Sequence, residues 1–173
     1  ITYKTMAKKK VVVAFSGGLD TSYTVMKLTE DGWDVYAACA NTGGFSPEQL
    51  KANEENAYRL GAVAYATLDV TQEYYEKSLK YMIFGNVLRN NSYPISVSSE
   101  RIFQAIAIAR YAREIGADAI AHGSTGAGND QIRFDMTFLV MAPGIEIITL
   151  TRDQALSRQE EVDYLNAHGF HAD

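Results

Sequence analysis

The sequence predicts an α/β fold: an open, parallel, five-stranded sheet with helices on both faces. Three observations predict it. Apolar runs of strand length alternate along the chain with stretches of helical period. The strand runs are apolar at consecutive positions, as strands covered on both faces are. Strands separated by helices must pair in parallel through right-handed crossovers. The 173 residues suffice for one domain of ordinary size, and the 47% apolar and 21% charged fractions are those of a globular chain.

Lys10–Phe15 is short, β-branched and continuous, a first strand. Asp20–Asp31 follows as a helix closed by Gly32. Trp33–Ala40 is the second strand. Ser46-Pro-Glu-Gln49 is a helix start, with Ser46 as cap, Pro47 in the first position and Gln49 completing a capping box. That helix runs to Leu60 and stops at Gly61. Ala62–Leu68 is the third strand, Thr71 to about Leu88 is mainly helical, and Asn90–Pro94 is a loop. Ser98–Ile115 is a long helix, apolar at seven of the eight positions from Ile102 to Ala109 and therefore covered on more than one side. Ala117–Ala121 is the fourth strand. The glycine-rich segment 123–129 leads into a helix over Asp130–Met141. Ile145–Leu150 is the fifth strand, and Ser157–His168 is a last helix ended by Gly169. Residues 1–7 are expected to be a disordered lead-in, and 8–173 a single domain with no internal linker.

Composition excludes several classes. The longest unbroken apolar run, Val35–Ala40, has six residues, against about 20 for a membrane-spanning helix. No membrane partner is expected, and the N-terminal residues lack the apolar region of a secretory signal. A net charge of -5 argues against a nucleic-acid partner. The single cysteine, Cys39, permits no intrachain disulfide and no cysteine-based zinc site. It fits a cytoplasmic setting and, inside an apolar run, reads as core.

In an open parallel sheet, ligands sit beyond the carboxyl ends of the strands, near the point where strand order reverses. Two of the loops that this rule selects are glycine-rich. Ser16-Gly-Gly-Leu-Asp-Thr-Ser22 follows the first strand. Its paired glycines let the backbone approach a ligand, its amides run into a helix N-terminus, and three hydroxyls stand nearby, which together suit phosphate oxygens. Asp20 is the exception, since a carboxylate repels phosphate. It fits either a helix cap or a ligand to a magnesium ion that the phosphates also hold. The lysine of a Walker loop and the dinucleotide fingerprint are both missing. The second loop, His122-Gly-Ser-Thr-Gly-Ala-Gly-Asn-Asp-Gln-Ile-Arg-Phe134, places Asp130 and Arg133 one helical turn apart. Such a pair suits a zwitterionic amino acid, and equally a plain surface ion pair at a helix start. His122 reads either as structural or as a working imidazole.

The heptapeptide resembles the PP-loop of the N-type ATP pyrophosphatases, Ser-Gly-Gly-x-Asp-Ser/Thr. The two loops together, with Ala40-Asn-Thr-Gly43 and Ser157-Arg-Gln-Glu160 through His168-Gly169, resemble the argininosuccinate synthase family from about Lys9 to Gly169. The resemblance implies a Rossmann-like, adenine nucleotide alpha hydrolase-like fold and an ATP-dependent ligase of arginine biosynthesis. In that chemistry citrulline and aspartate condense to argininosuccinate through citrullyl-AMP, releasing pyrophosphate and AMP. ATP with magnesium would be held by Ala14, Phe15, Ser16, Gly17, Gly18, Leu19, Asp20, Thr21 and Ser22, with Ala40 and Gly123 against the nucleotide. Asp20 would be the magnesium ligand. Aspartate would be held by Thr125, Asn129 and Asp130, and citrulline by Tyr93, Ser98, Asn129 and Arg133, with Arg101 matching a family arginine nearby. No catalytic residue is assigned. The family implies a homo-oligomer, a homotetramer at full length.

Three features depart from the family pattern. Where the family has Thr-Ser, two small or apolar residues and Arg-Pro, this chain reads Val97-Ser-Ser-Glu-Arg-Ile102. Glu100 adds negative charge and Ile102 removes a helix-starting proline, so an altered or differently held first substrate is expected. Gly44-Phe45 stands where the family often has a glutamine after the glycine. Family chains are also much longer, and the C-terminal domain is expected to be missing. The alternatives are a nucleotide-binding domain without turnover of its own, or another PP-loop adenylating enzyme.

Overall fold

The computed structural model describes residues 8–172, so the lead-in expected at 1–7 lies outside the described residues. Five strands, β1 (Lys10–Ala14), β2 (Asp34–Asn41), β3 (Ala64–Asp69), β6 (Ala119–Ala121) and β7 (Glu146–Ile148), form one parallel sheet in the order β3-β2-β1-β6-β7. The chain moves from β1 outward through β2 to β3, then returns to the far side of β1 as β6. Strand order therefore reverses between β1 and β6, whose register pairs Val11 with Ala119 and Val13 with Ala121. Both strands thus end side by side, and the loops after Ala14 and Ala121 open on the same crevice.

The continuous valines of β1 are needed on both faces. Val11 and Val13 pack with Val25 and Leu28 of α1 (Leu19–Glu30), Ala57 of α2 (Pro47–Arg59) and Leu165 of α8 (Arg158–Ala167). Val12 turns the other way, onto Ala105, Ile108 and Ala109 of α5 (Ser96–Glu114) and Phe138 of α6 (Asp130–Met141). All three valines are fully buried, each stabilising the fold by about 1.5–3 kcal/mol. No residue from 98 to 109 is fully exposed, which explains the near-continuous apolar stretch of α5.

Local signals set the helix ends. The Ser46 hydroxyl accepts from the Gln49 amide at 3.2 Å, and the Gln49 side chain accepts from the Ser46 amide at 2.8 Å, with Pro47 in the first position of α2. Ser157 and Glu160 repeat this box at α8. Beyond α2, Gly61 takes φ +102°, a conformation that costs a residue with a Cβ about 1–2 kcal/mol.

The segment after β3 departs from expectation. α3 (Thr71–Tyr74) passes through a π-helical stretch (Tyr75–Leu79) into α4 (Lys80–Phe84), which ends short of Leu88. A small hairpin of β4 (Leu88–Arg89) and β5 (Tyr93–Pro94) then occupies the region expected as loop. Asn90 and Asn91 both take positive φ there, which asparagine tolerates better than most residues. Two-residue strands are too short to show alternation, so nothing in the pattern announced them. A further short helix, α7 (Leu150–Asp153), takes the end of the expected fifth strand. None of the described helices is long and apolar enough to cross a membrane.

Candidate functional site

Phe15 continues β1 by donating its amide to the Ala38 carbonyl at 2.9 Å. The chain then turns sharply, with Gly17 at φ +79°. A Cβ on Gly17 would lie 2.1 Å from Asn53 Oδ1 of α2, so the dihedral favours glycine and any side chain here would also have to displace that of Asn53. α1 starts at Leu19 with Gly18 as its N-cap, and no side chain caps it. Asp20 is therefore not the cap, which corrects one of the two roles expected for it. An uncapped first turn leaves its amides to a ligand or to water. Thr21 donates to the Gly18 carbonyl at 3.1 Å and lies 3.4 Å from the Ser16 hydroxyl.

This loop separates two cavities. Ala14, Phe15, Ser16, Asp20 and Thr21 line the larger, of about 570 Å³, within the roughly 300–1,000 Å³ of small-molecule clefts. Gly17, Gly18, Leu19 and Ser22 line a smaller one of about 420 Å³, together with Arg59 and Arg158. The expected ATP contacts thus face two sides of one loop. Ala40 and Gly123 join the larger cavity, as does Cys39. Cys39 is 1% exposed, and burial pushes its thiol up, as a core residue.

Asp20 has a partner that the sequence did not disclose. Glu161 of α8, which is 1% exposed and accepts from the Thr151 hydroxyl at 3.0 Å, lies close enough to Asp20 for the two carboxyls to interact. Burial, and then the neighbouring Asp20, push Glu161 up to about 7. Glu161 so keeps a proton into the neutral range.

The loop after β6 closes the other side. A Cβ on Gly123 would lie 2.9 Å from the Asp20 Cβ, so glycine lets this loop touch the start of α1. His122 is 1% exposed. Its Nε2 lies 2.8 Å from Asp135 Oδ1, its Nδ1 accepts from the Ser124 amide at 3.2 Å, and its ring stacks on Phe134. Both nitrogens are engaged, which fixes the tautomer with hydrogen on Nε2 and makes the imidazole structural. Burial pushes it down, against the pull of Asp135. Asp135 also accepts from Arg152 at 2.7 Å. Although burial alone would raise Asp135, its bonds to Arg152 and His122 hold it below the usual carboxylate range.

α6 begins at Asp130, as expected, so Arg133 lies one turn on. Arg133 donates to Asp130 at 2.6 Å and to Ser98 Oγ at 3.0 Å, while Arg101 reaches Asp130 from α5 at 3.2 Å. Two guanidiniums therefore engage one carboxylate, and an incoming zwitterion would have to exchange partners with them. Asp130 and Thr125 line the larger cavity. Asn129 is exposed just before α6, and Tyr93 is exposed on the hairpin. Ser98, Arg133 and Asp130 are brought together, and the Asn129 carbonyl accepts from the Arg133 amide at 3.3 Å, whereas Tyr93 lies on the hairpin. Asp135, Arg152 and Glu161 were missed: Asp135 and Glu161 are charged residues on helices and read as solvated surface, and Arg152 falls in a short helical turn between the expected last strand and last helix.

Residues 10–171 match the family profile described as arginosuccinate synthase N-terminal HUP domain. The chain is 40% identical over 164 residues to an argininosuccinate synthase of Lactococcus lactis subsp. cremoris, covering 95% of this chain and 41% of the relative. It is 38% identical over 165 residues to that of Pyrobaculum aerophilum, with the same coverage. It is 37% identical over 163 residues to that of Listeria innocua, covering 94% and 40%. The chain thus spans about two-fifths of the length of these curated relatives.

Proposed function

Because the chain belongs to the argininosuccinate synthase family, we propose that it binds ATP across the β1–β6 crevice and supplies the nucleotide half of a ligase that joins citrulline to aspartate. The observation that carries this reading is the uncapped start of α1 at Gly18, opening where strand order reverses. First-turn amides and the hydroxyls of Ser16 and Thr21 offer donors to the phosphates without a lysine. The adenosine would extend over Ala40 at the mouth of β2. A magnesium ion fits here only in company with phosphate: among the described residues no three His, Cys, Asp or Glu side chains gather to hold a metal. Magnesium commonly binds by one or two carboxylates plus substrate phosphates, and Asp20 would provide the carboxylate. Bound there, it would neutralise charge on the departing pyrophosphate.

In the proposed reaction the ureido oxygen of citrulline attacks the α-phosphorus, pyrophosphate leaves, and the amine of aspartate then displaces AMP. The chain's own residues bind and orient. The first-turn amides of α1 stabilise the leaving oxygens, and Arg133 takes an amino-acid carboxylate, releasing Asp130 to an ammonium group. No side chain needs to act as nucleophile.

Titration calorimetry with Mg-ATP tests the binding step, and pyrophosphate release with ATP, citrulline and aspartate tests turnover. Binding without release supports the second reading, a nucleotide-binding domain that needs the rest of a longer chain. That reading is favoured by the satisfied Asp130 cluster. Absence of Mg-ATP binding contradicts both.

A further inference from the structure

Glu100 lines the larger cavity beside Arg101 and Gln104 of α5, and Ser98 does not. Ser98 and Glu100 are two positions apart, so their side chains leave the helix about 200° apart. Ser98 bonds Arg133 on the amino-acid side. Glu100 accepts instead from the Thr42 hydroxyl at 2.5 Å, in the loop after β2. Arg101, whose guanidinium lies 4.0 Å from the second Glu100 oxygen, is already engaged by Asp130 and Gln104. Gln104 in turn reaches the Ala40 carbonyl at 3.4 Å. Thr42 and Glu100 thus form a polar rim of the larger cavity at the mouth of β2, beside Ala40, whereas Gly17, Gly18 and Leu19 line the smaller cavity.

An ionised carboxylate only accepts hydrogen bonds, so the ligand group it meets must be a donor, and beside Ala40, where the adenosine is proposed to lie, that donor is a hydroxyl or amine of the nucleoside. On this geometry we infer that Glu100, oriented by Thr42, accepts an O–H or N–H of the nucleoside half of ATP and so determines nucleotide preference. The inference rests on the ATP-binding reading above. It also gives the departure of Glu100 from the family pattern a role on the nucleotide rather than on the first amino acid.

Two donors on adenosine qualify: a ribose hydroxyl and the adenine amine. Titration calorimetry of the chain with Mg-ATP, Mg-2′,3′-dideoxyATP and Mg-ITP distinguishes them. The unmodified chain is expected to prefer ATP about tenfold over whichever analogue lacks the donor, and E100A should bring the two within about twofold. E100Q keeps the shape and a weaker, neutral acceptor, and should reduce the preference; it serves where E100A does not fold. ATP binding with equal affinity for both analogues, or a preference unchanged in E100A or E100Q, overturns the role of Glu100 and leaves the ATP-binding reading standing. No ATP binding by the unmodified chain overturns both.

Discussion

At the scale of single residues, the site is built from charges that are already paired. Arg133 bridges Ser98 and Asp130, so R133A should weaken amino-acid binding by about tenfold or more while Mg-ATP binding is kept. Calorimetry showing an equal loss of both would make Arg133 structural. D20A should weaken Mg-ATP binding, read by the same method, and an unchanged affinity would exclude Asp20 from the metal. His122 gives a pH prediction. Burial holds the folded imidazole below its ordinary value, near 6.5 unfolded. The unfolded chain therefore takes up a proton below about pH 6.5 that the folded chain refuses. The stability contributed by neutral His122 is complete above that pH and is lost as pH falls. Urea titrations at pH 7.5 and 5.5 should show a smaller drop in H122Q than in the unmodified chain; equal drops would contradict it. The sequence disclosed Asp130 and Arg133 through their helical spacing, but not Arg101 as a second partner of Asp130. That contact is between two helices, and no local pattern reports it.

At the scale of elements, the working parts are the ends of strands and the starts of helices. The capping box at Ser46 was legible because it is local, fixed-offset chemistry. The glycine loops were legible for the same reason. The break in the helix after Thr71 and the hairpin at Leu88–Pro94 were not, since short elements carry too little periodicity. The absence of a side-chain cap at Gly18 was also beyond the sequence, which allowed Asp20 that role. Gly17 shows how tightly the loop is fixed: G17A meets both a positive φ and Asn53. It should lose about 1–2 kcal/mol of stability, measurable by urea denaturation, together with Mg-ATP binding. Removing the Asn53 side chain as well should recover the part due to collision. A G17A variant of unchanged stability would mean that the turn adapts.

At the scale of the molecule, one sheet buried on both faces holds two loops against each other at the point where strand order turns back. The buried strands make this frame stiff: I120A, at a fully buried position of β6, should cost about 2–5 kcal/mol. The parallel α/β class was readable from the alternation of apolar runs, and the crevice followed from the topological rule. The smaller cavity lined by Arg59 and Arg158 was not readable, because it draws on α1, α2 and α8 and on the segment after α8, all distant in sequence. The most direct measurement is an amide NMR titration of the chain with Mg-ATP and, separately, with adenosine. Mg-ATP should shift the amide signals of Gly17, Gly18, Leu19 and Asp20, and adenosine should leave those four in place while moving signals near Ala40. Shifts by Mg-ATP that spare these four amides would contradict the account.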